Sequence, residues 1–366
     1  MITQSRSPYS LKYRLRKYAK LTLDYGFLIG LGMFFLFPIV FMLVSSVKNY
    51  EMQVLRDMSS LRAFLPISPR FYRLDQHALN QLLAEHERQG EPFPQEVADN
   101  LSKMMLFETT REENFIQTLE ERIGKEPANQ YKDIILTYAD QTGIGVQNYQ
   151  DVFGQMPFKR FILNSVFIVS TIVIFGLMIN SLIAYALARL RFAGRGVLLT
   201  IIIALIIIPL EAVVVPLLLI VNRFGWLDSY HVQIIPFIAD PFSIFLFYQF
   251  FIGLPKDMEE AALVDGASLF GIYWKIVLPL SRPVFATVAI LQFLLHWNDF
   301  LWPLMVTRGE TYRPLMVAIQ QFFSQDPKVW GDIMAFASMI TIPVLFVFLL
   351  FQKWFVQSVA TTGVKG

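Results

Sequence analysis

The residues able to do chemistry are few, and their types and spacing exclude most catalytic arrangements. The chain contains no cysteine, which removes thiolate nucleophiles, disulfides and Cys-ligated metals. Its 4 histidines are scattered. The sequence "HERQG" at His86 lacks the second histidine of a metal-binding helix. "GKE" at Gly124 lacks the upstream glycine and the Ser/Thr of a phosphate-binding loop, and "GLG" at Gly30 lies inside an apolar run. There is no nucleophile elbow and no triad. The expectation is a channel-forming or coupling component, not an enzyme, with no cofactor, no metal and no nucleic-acid partner.

Two groups of polar residues remain. The first is the stretch "MEEAALVDGASLFGIYWKIVLPLSRP", Met258 to Pro283, between two apolar runs. Pro255 suits a first helical turn, where its missing N–H would be unpaired anyway. Asp257, Glu259 and Glu260 then lie near the positive end of that helix, where acids are favoured by about 0.3–1 kcal/mol. Ala261, Ala262, Leu263, Val264 and Asp265 follow, and Gly266 is suited to the left-handed turn that stops a helix. Beyond Ala267, Ser268 is placed to cap a second helix. Leu269, Ile272, Tyr273 and Ile276 form one apolar stripe, and Leu278-Pro279 ends it. The pattern is helix, tight turn, helix: a knob shaped for a groove on a partner. A helix lying on the inner leaflet normally carries Lys and Arg on its polar face; this one is acidic and is repelled by an anionic leaflet.

The second group lies within apolar runs. Glu211 sits in "IIIPLEAVVVPLLLI". An ionised glutamate at mid-bilayer costs about 2.5–3.5 kcal/mol on insertion scales. It either faces a path or gate, or bonds to backbone amides freed by Pro209 and Pro216. Asn164, Asn180 and Ser181 read as helix-to-helix contacts, with Asn180 also a candidate for the path. "HWNDFLWP" places His296, Asn298 and Asp299 beside Trp297 and Trp302; because tryptophans favour membrane interfaces, this cluster is expected at the outer mouth of a gate.

The elements that must position these groups are membrane helices. The 366 residues are 55% hydrophobic and 16% charged, with 34 Phe, against about 25% charged residues in a soluble domain. Six spans can be drawn, at Gly26–Val47, Phe161–Ala188, Val197–Val221, Val232–Ile252, Val284–Val306 and Ile333–Trp354. The fold class is an all-α integral membrane protein. The first run is longer than a signal-peptide core and has no small-residue cleavage site after it. Lys and Arg concentrate in the N-terminal segment 1–25 (Arg6, Lys12, Arg14), in "ARLRFAGR", in the loop at about 254–282 and at Lys353 and Lys365. These alternate correctly for one cytoplasmic side with both termini inside. Residues 48–157 are then external. "DQHALNQLLAEHERQG" places Leu74, Ala78 and Leu82 on one face, and "REENFIQTLEERIGK" does so with Phe115, Leu119 and Ile123. A helical insertion is expected over about 71–145.

"EEAALVDGASLFGIYWKIVLP" resembles the EAA loop of membrane subunits of ATP-binding-cassette importers, matched at Glu260, Ala261, Ala262, Gly266, Ile276, Leu278 and Pro279. Asp265 and Ala267 are typical of the carbohydrate-uptake branch. "ILNSVFIV", "AYALARLRFAGR", "IIPLEAVVVPLLLI", "PFSIFLFYQFF", "WNDFLWPL" and "FVQSVATTGVKG" resemble the maltose-importer-type second permease. The resemblance covers nearly everything except about 71–145, a segment longer than this family's usual first external loop. It implies a type I permease core at 158–366 in the inner or plasma membrane. It also implies a second permease subunit, two cytoplasmic ATPase subunits gripping the EAA loops, and an external solute-binding protein. ATP binding would close the ATPase pair and open the permease outward. Glu260 would pair with a base in the ATPase groove, Gly266 would be the bend, and Leu263, Val264 and Ala267 would fill the groove. The solute implied is a sugar, oligosaccharide or glycerol phosphate. A secondary transporter or a membrane-anchored sensor needs no such loop, and no inverted repeat supports the former.

Overall fold

In the computed structural model, the described residues are 11–48, 51–66, 72, 74, 76–88, 90–103, 112–140, 143–324 and 328–362. Arg6 and Lys365, used above for orientation, lie outside them, as do the side chains of Lys12, Arg14 and Lys353. Among the described residues the chain is helical, with two isolated bridges and no strand.

The helices are α1 (Leu11–Ser46), α2 (Glu51–Asp57), α3 (Gln76–Arg88), α4 (Gln95–Ser102), α5 (Glu112–Ile123), α6 (Lys125–Ala139), α7 (Gln147–Gln155), α8 (Phe158–Arg189), α9 (Arg195–Ile207), α10 (Leu210–Arg223), α11 (Tyr230–Ile234), α12 (Pro241–Ile252) and α13 (Asp257–Val264). Then come α14 (Leu269–Leu280) and α15 (Arg282–Trp297), α16 (Leu301–Val306), α17 (Leu315–Phe323) and α18 (Trp330–Thr362). Four stretches are long and apolar enough to cross a membrane: Tyr18–Ser46, Phe158–Arg189, Tyr230–Ile252 and Trp330–Gln352. Two bent pairs, α9 with α10 and α14 with α15, bring the number to six if each is one span.

The chain divides into two compact units, Met1–Asp151 with Val329–Ser338, and Val152–Lys328 with Met339–Gly366. In the first, α3 to α6 close around Leu79, Leu82, Leu101, Leu119, Ile135 and Ala139. The six residues whose spacing marks the apolar faces, Leu74, Ala78, Leu82, Phe115, Leu119 and Ile123, are all buried. At the foot of this unit Lys48 is buried and pairs with Asp57 at 2.9 Å. Asn148 donates to the carbonyls of Ser46 and Lys48 at 2.9 and 2.7 Å. By contrast, α1 exposes Phe27, Phe34 and Phe35, as a lipid-facing helix must.

In the second unit α8 is the spine. Its buried face joins α12, α14 and α15 in one core that includes Tyr185, Phe247, Phe251, Ile272, Tyr273 and Val288. The expected span Val197–Val221 is not one straight helix. It breaks at Ile208-Pro209, and α9 and α10 meet at 105°. Pro209 has no N–H and pushes the preceding residue out of the helical region; Ile208 is extended at φ −81, ψ 113. The expected span Val284–Val306 likewise stops at Trp297 and restarts at Leu301.

Candidate functional site

The loop between α12 and α15 builds the knob from local rules. Helix α13 opens at Asp257 with Asp257, Glu259 and Glu260 in its first turn; Pro255 lies two residues before the helix, not within its first turn. The exit is a Schellman turn. Ala267 N–H reaches back to the carbonyl of Ala262 at 2.9 Å, and Gly266 takes φ +80. Ser268 then caps α14, accepting the N–H of Gly271 at 3.1 Å.

Pro279 does not end the second helix. The backbone widens to a π-turn over Tyr273–Val277, and a further helical turn follows to Leu280. A π-turn skips one hydrogen bond, so the proline's missing N–H leaves little unmade. The true break is at Ser281, where α14 and α15 bend by 79°.

The knob presents its tip and keeps its base. Val264 is 88% exposed, with Leu263, Phe270 and Glu260 also open. The apolar stripe divides: Ile272 and Tyr273 are buried, Ile276 is half-buried and Leu269 stays exposed. The two adjacent glutamates have different fates. Glu260 points outward. Glu259 turns in and meets Arg189 of α8 at 2.8 Å, both side chains being nearly buried. The contact is a close ion pair. Burial pushes the Glu259 carboxyl above its ordinary value, although the Arg189 guanidinium pulls the other way.

Arg189 also donates to the carbonyl of Leu254 at 2.9 Å. One turn back, Tyr185 donates to the carbonyl of Leu269 at 3.4 Å. A further turn back, Ser181 and Tyr273 share a hydrogen bond of 2.7 Å between hydroxyls. The expectations above did not include this dock. Its signal was present, because Ser181, Tyr185 and Arg189 recur every four residues and so share one helix face.

A cavity of about 1000 Å³ lies between α10, α12 and the end of α15. Glu211, Asn298 and Asp299 all line it, joined by His296, Asp240 and the rings of Phe237, Phe242 and Phe300. Asn180 does not line it. It is fully buried, donating to the carbonyl of Ile238 and accepting the N–H of Asp240, each at 3.1 Å. Asn164 and Ser181 also bridge elements. Both tryptophans are buried in the fold: Trp297 is 4% and Trp302 is 0% exposed. Their indole N–H groups find the carbonyls of Ile340 and Val232, which removes the reason for water contact. Among the described residues no cluster could hold a metal ion.

An apolar helical fold with an exposed acidic knob held on α8, and a largely apolar cavity carrying a few polar groups, define a membrane transport component. The chain belongs to the family of binding-protein-dependent transport system inner membrane components, whose profile matches residues 172–361. It is therefore a multi-pass inner-membrane permease of an ABC importer, and not an enzyme. It is 34% identical over 229 residues to the arabinooligosaccharides transport system permease protein AraQ of Bacillus subtilis, covering 62% of this chain and 81% of that one. It is 32% identical over 226 residues to the trehalose/maltose transport system permease protein MalG of Thermococcus litoralis, covering 60% and 81%. Among solved structures it resembles a chain of a bacterial ABC transporter involved in the import of the acidic polysaccharide alginate. That match has a TM-score of 0.54 and 27% identity, over 60% of this chain and 82% of the other.

Proposed function

We propose that this chain forms half of the translocation path for a sugar, oligosaccharide or glycerol phosphate. It does so beside a second permease subunit and above two ATPase subunits that grip the knob of α13 and α14. The observation that carries this reading is the exposed apolar tip: Val264 is 88% and Leu263 is 48% exposed at the bend of an otherwise acidic helix. Apolar side chains at a tight bend outside the spans are suited to a protein groove. Glu260 sets the register by pairing with a base there, and Ala267 allows close approach. In this reading the knob and both termini are cytoplasmic, and the α3–α6 unit is external, where it docks the solute-binding protein or the partner permease. The cavity holding Glu211, Asn298 and Asp299 is this subunit's share of the path. The solute class is supported by the names of the relatives, which transport arabinooligosaccharides and trehalose or maltose, and in one case sn-glycerol-3-phosphate.

Two experiments test it. The tagged chain, solubilised from its own cells, should bring down an ATPase carrying a phosphate-binding loop. A strain lacking the chain should lose uptake of a labelled sugar and regain it on complementation. An intact, transporting assembly with nothing bound at Val264 would end the proposal.

A further inference from the structure

The end of α8 touches the knob at three heights and the cavity wall at a fourth. Arg189 meets Glu259 at 2.8 Å, Tyr185 reaches the carbonyl of Leu269, and Ser181 meets the Tyr273 hydroxyl at 2.7 Å. The next residue, Asn180, holds the peptides of Ile238 and Asp240, and Asp240 lines the cavity. The contacts on the knob come from α13 and from both ends of the first turn of α14, so the knob cannot pivot on α8 without breaking several of them together. We infer that Arg189, Tyr185 and Ser181 are positioning residues that make the knob and α8 one rigid lever, so that displacement of the knob moves the Asp240 turn at the cavity wall. This rests on the proposal that ATPase subunits drive the knob.

The physical requirement is stiffness. A loop tethered only at its two chain ends would absorb a partner's push by flexing. Here a guanidinium with 6% side-chain exposure and a phenol with 2% exposure anchor the loop along two helical turns of α8. Packed elements with a few discrete arrangements transmit such a displacement, because the core between them is close-packed and resists being compressed.

The chain's lack of cysteine provides a clean readout. Leu295→Cys puts a single thiol on the cavity wall, at a residue 62% exposed. In the whole importer, purified with the subunits that accompany this chain, the rate of maleimide modification at residue 295 is measured without nucleotide and with ATP plus vanadate. The expected result is a nucleotide-dependent rate in the otherwise unchanged chain. Arg189→Met should shrink that dependence by on the order of 10-fold, with Tyr273→Phe acting in the same direction. ATPase subunits should still copurify and hydrolyse ATP, and the exchange Arg189→Glu with Glu259→Arg should recover part of the response. Full nucleotide dependence in both Arg189→Met and Tyr273→Phe would overturn the inference. So would loss of the ATPase subunits from both variants, which would make these contacts a matter of folding alone. Failure of the parent reading looks different: no nucleotide effect and no accompanying ATPase even in the chain carrying only Leu295→Cys.

Discussion

The side-chain amide of Asn180 grips a single turn from both sides, accepting the N–H of Asp240 and donating to the carbonyl of Ile238, each at 3.1 Å. The turn interrupts the stretch Tyr230–Ile252 between α11 and α12. A break at membrane depth frees backbone groups that lipid cannot satisfy, and Asn180 supplies the missing partners. Asn180→Leu should therefore act on folding and not on solute recognition. Two part-buried backbone groups left unmade cost up to about 1–3 kcal/mol each. A lower melting temperature of the detergent-solubilised protein is expected, with an unchanged KM for uptake in the molecules that survive. A KM shift at unchanged melting temperature would return Asn180 to the path.

How far the sequence carried depends on the range of the interaction. The knob was legible in detail because each device acts over a few residues: the acids of the first turn, Gly266 after the last turn and Ser268 before the next. The faces of the α3–α6 unit were legible for the same reason, through the spacing of Leu82, Phe115 and Leu119. A break at Pro209 was legible as one of two alternatives for Glu211, but the 105° turn was not, since the apolar run continues uniformly on both sides. The burial of Trp297 and Trp302 was not legible, because the carbonyls of Ile340 and Val232 that receive their indole N–H groups are distant in sequence. The choice of Glu259 over Glu260 for Arg189 depends on how α13 is rotated against α8, a long-range packing result that no local pattern encodes.

That difference between neighbouring acids gives a paired prediction. Glu260 is exposed and makes no contact within the chain that fixes the fold, whereas Glu259 is packed against Arg189. Glu260→Lys should insert and fold normally yet lose its ATPase partners, with a cost of about 2–5 kcal/mol if the charge is buried on docking. Glu259→Lys, which sets two cations together in a nearly closed site, should instead reduce the amount of folded protein. Membrane yield and copurified ATPase, measured side by side, separate the two effects; equal loss of both in both variants would erase the distinction.

Gly266 is constrained by its backbone and not by its surroundings. It holds φ +80, and a Cβ built there meets nothing within 4 Å. Gly266→Val should then cost roughly 1–3 kcal/mol for conformational strain alone. Gly266→Asn, which tolerates the left-handed region, should retain most of the function. Uptake should rank glycine, then asparagine, then valine. If asparagine failed as completely as valine, close approach of the ATPase to Gly266 would be the constraint, and the groove would be tighter there than the free knob requires.

Gly176 presents the opposite case, in which the neighbour decides. A Cβ on Gly176 would lie 2.7 Å from Oε1 and 3.1 Å from Nε2 of Gln292. Gln292 cannot simply swing away, because it is 2% exposed and donates to the Ser243 hydroxyl at 3.1 Å, while Ser243 donates to Asp240. Gly176→Ala must therefore separate α8 from α15 or break the link to Ser243, at about 1–3 kcal/mol for overpacking. Because that link ends on the capping carboxylate of α12, its loss should also loosen the turn that Asn180 holds. The melting temperature of Gly176→Ala should fall, and Gln292→Ala in the same chain should recover part of it by vacating the space. Gln292→Ala alone should also lower stability, since it opens a hole and removes the donor to the Ser243 hydroxyl. If the double variant melted at the sum of the two single losses, the glycine and the glutamine would act independently, and the close approach of α8 to α15 would not be what Gly176 is there to allow.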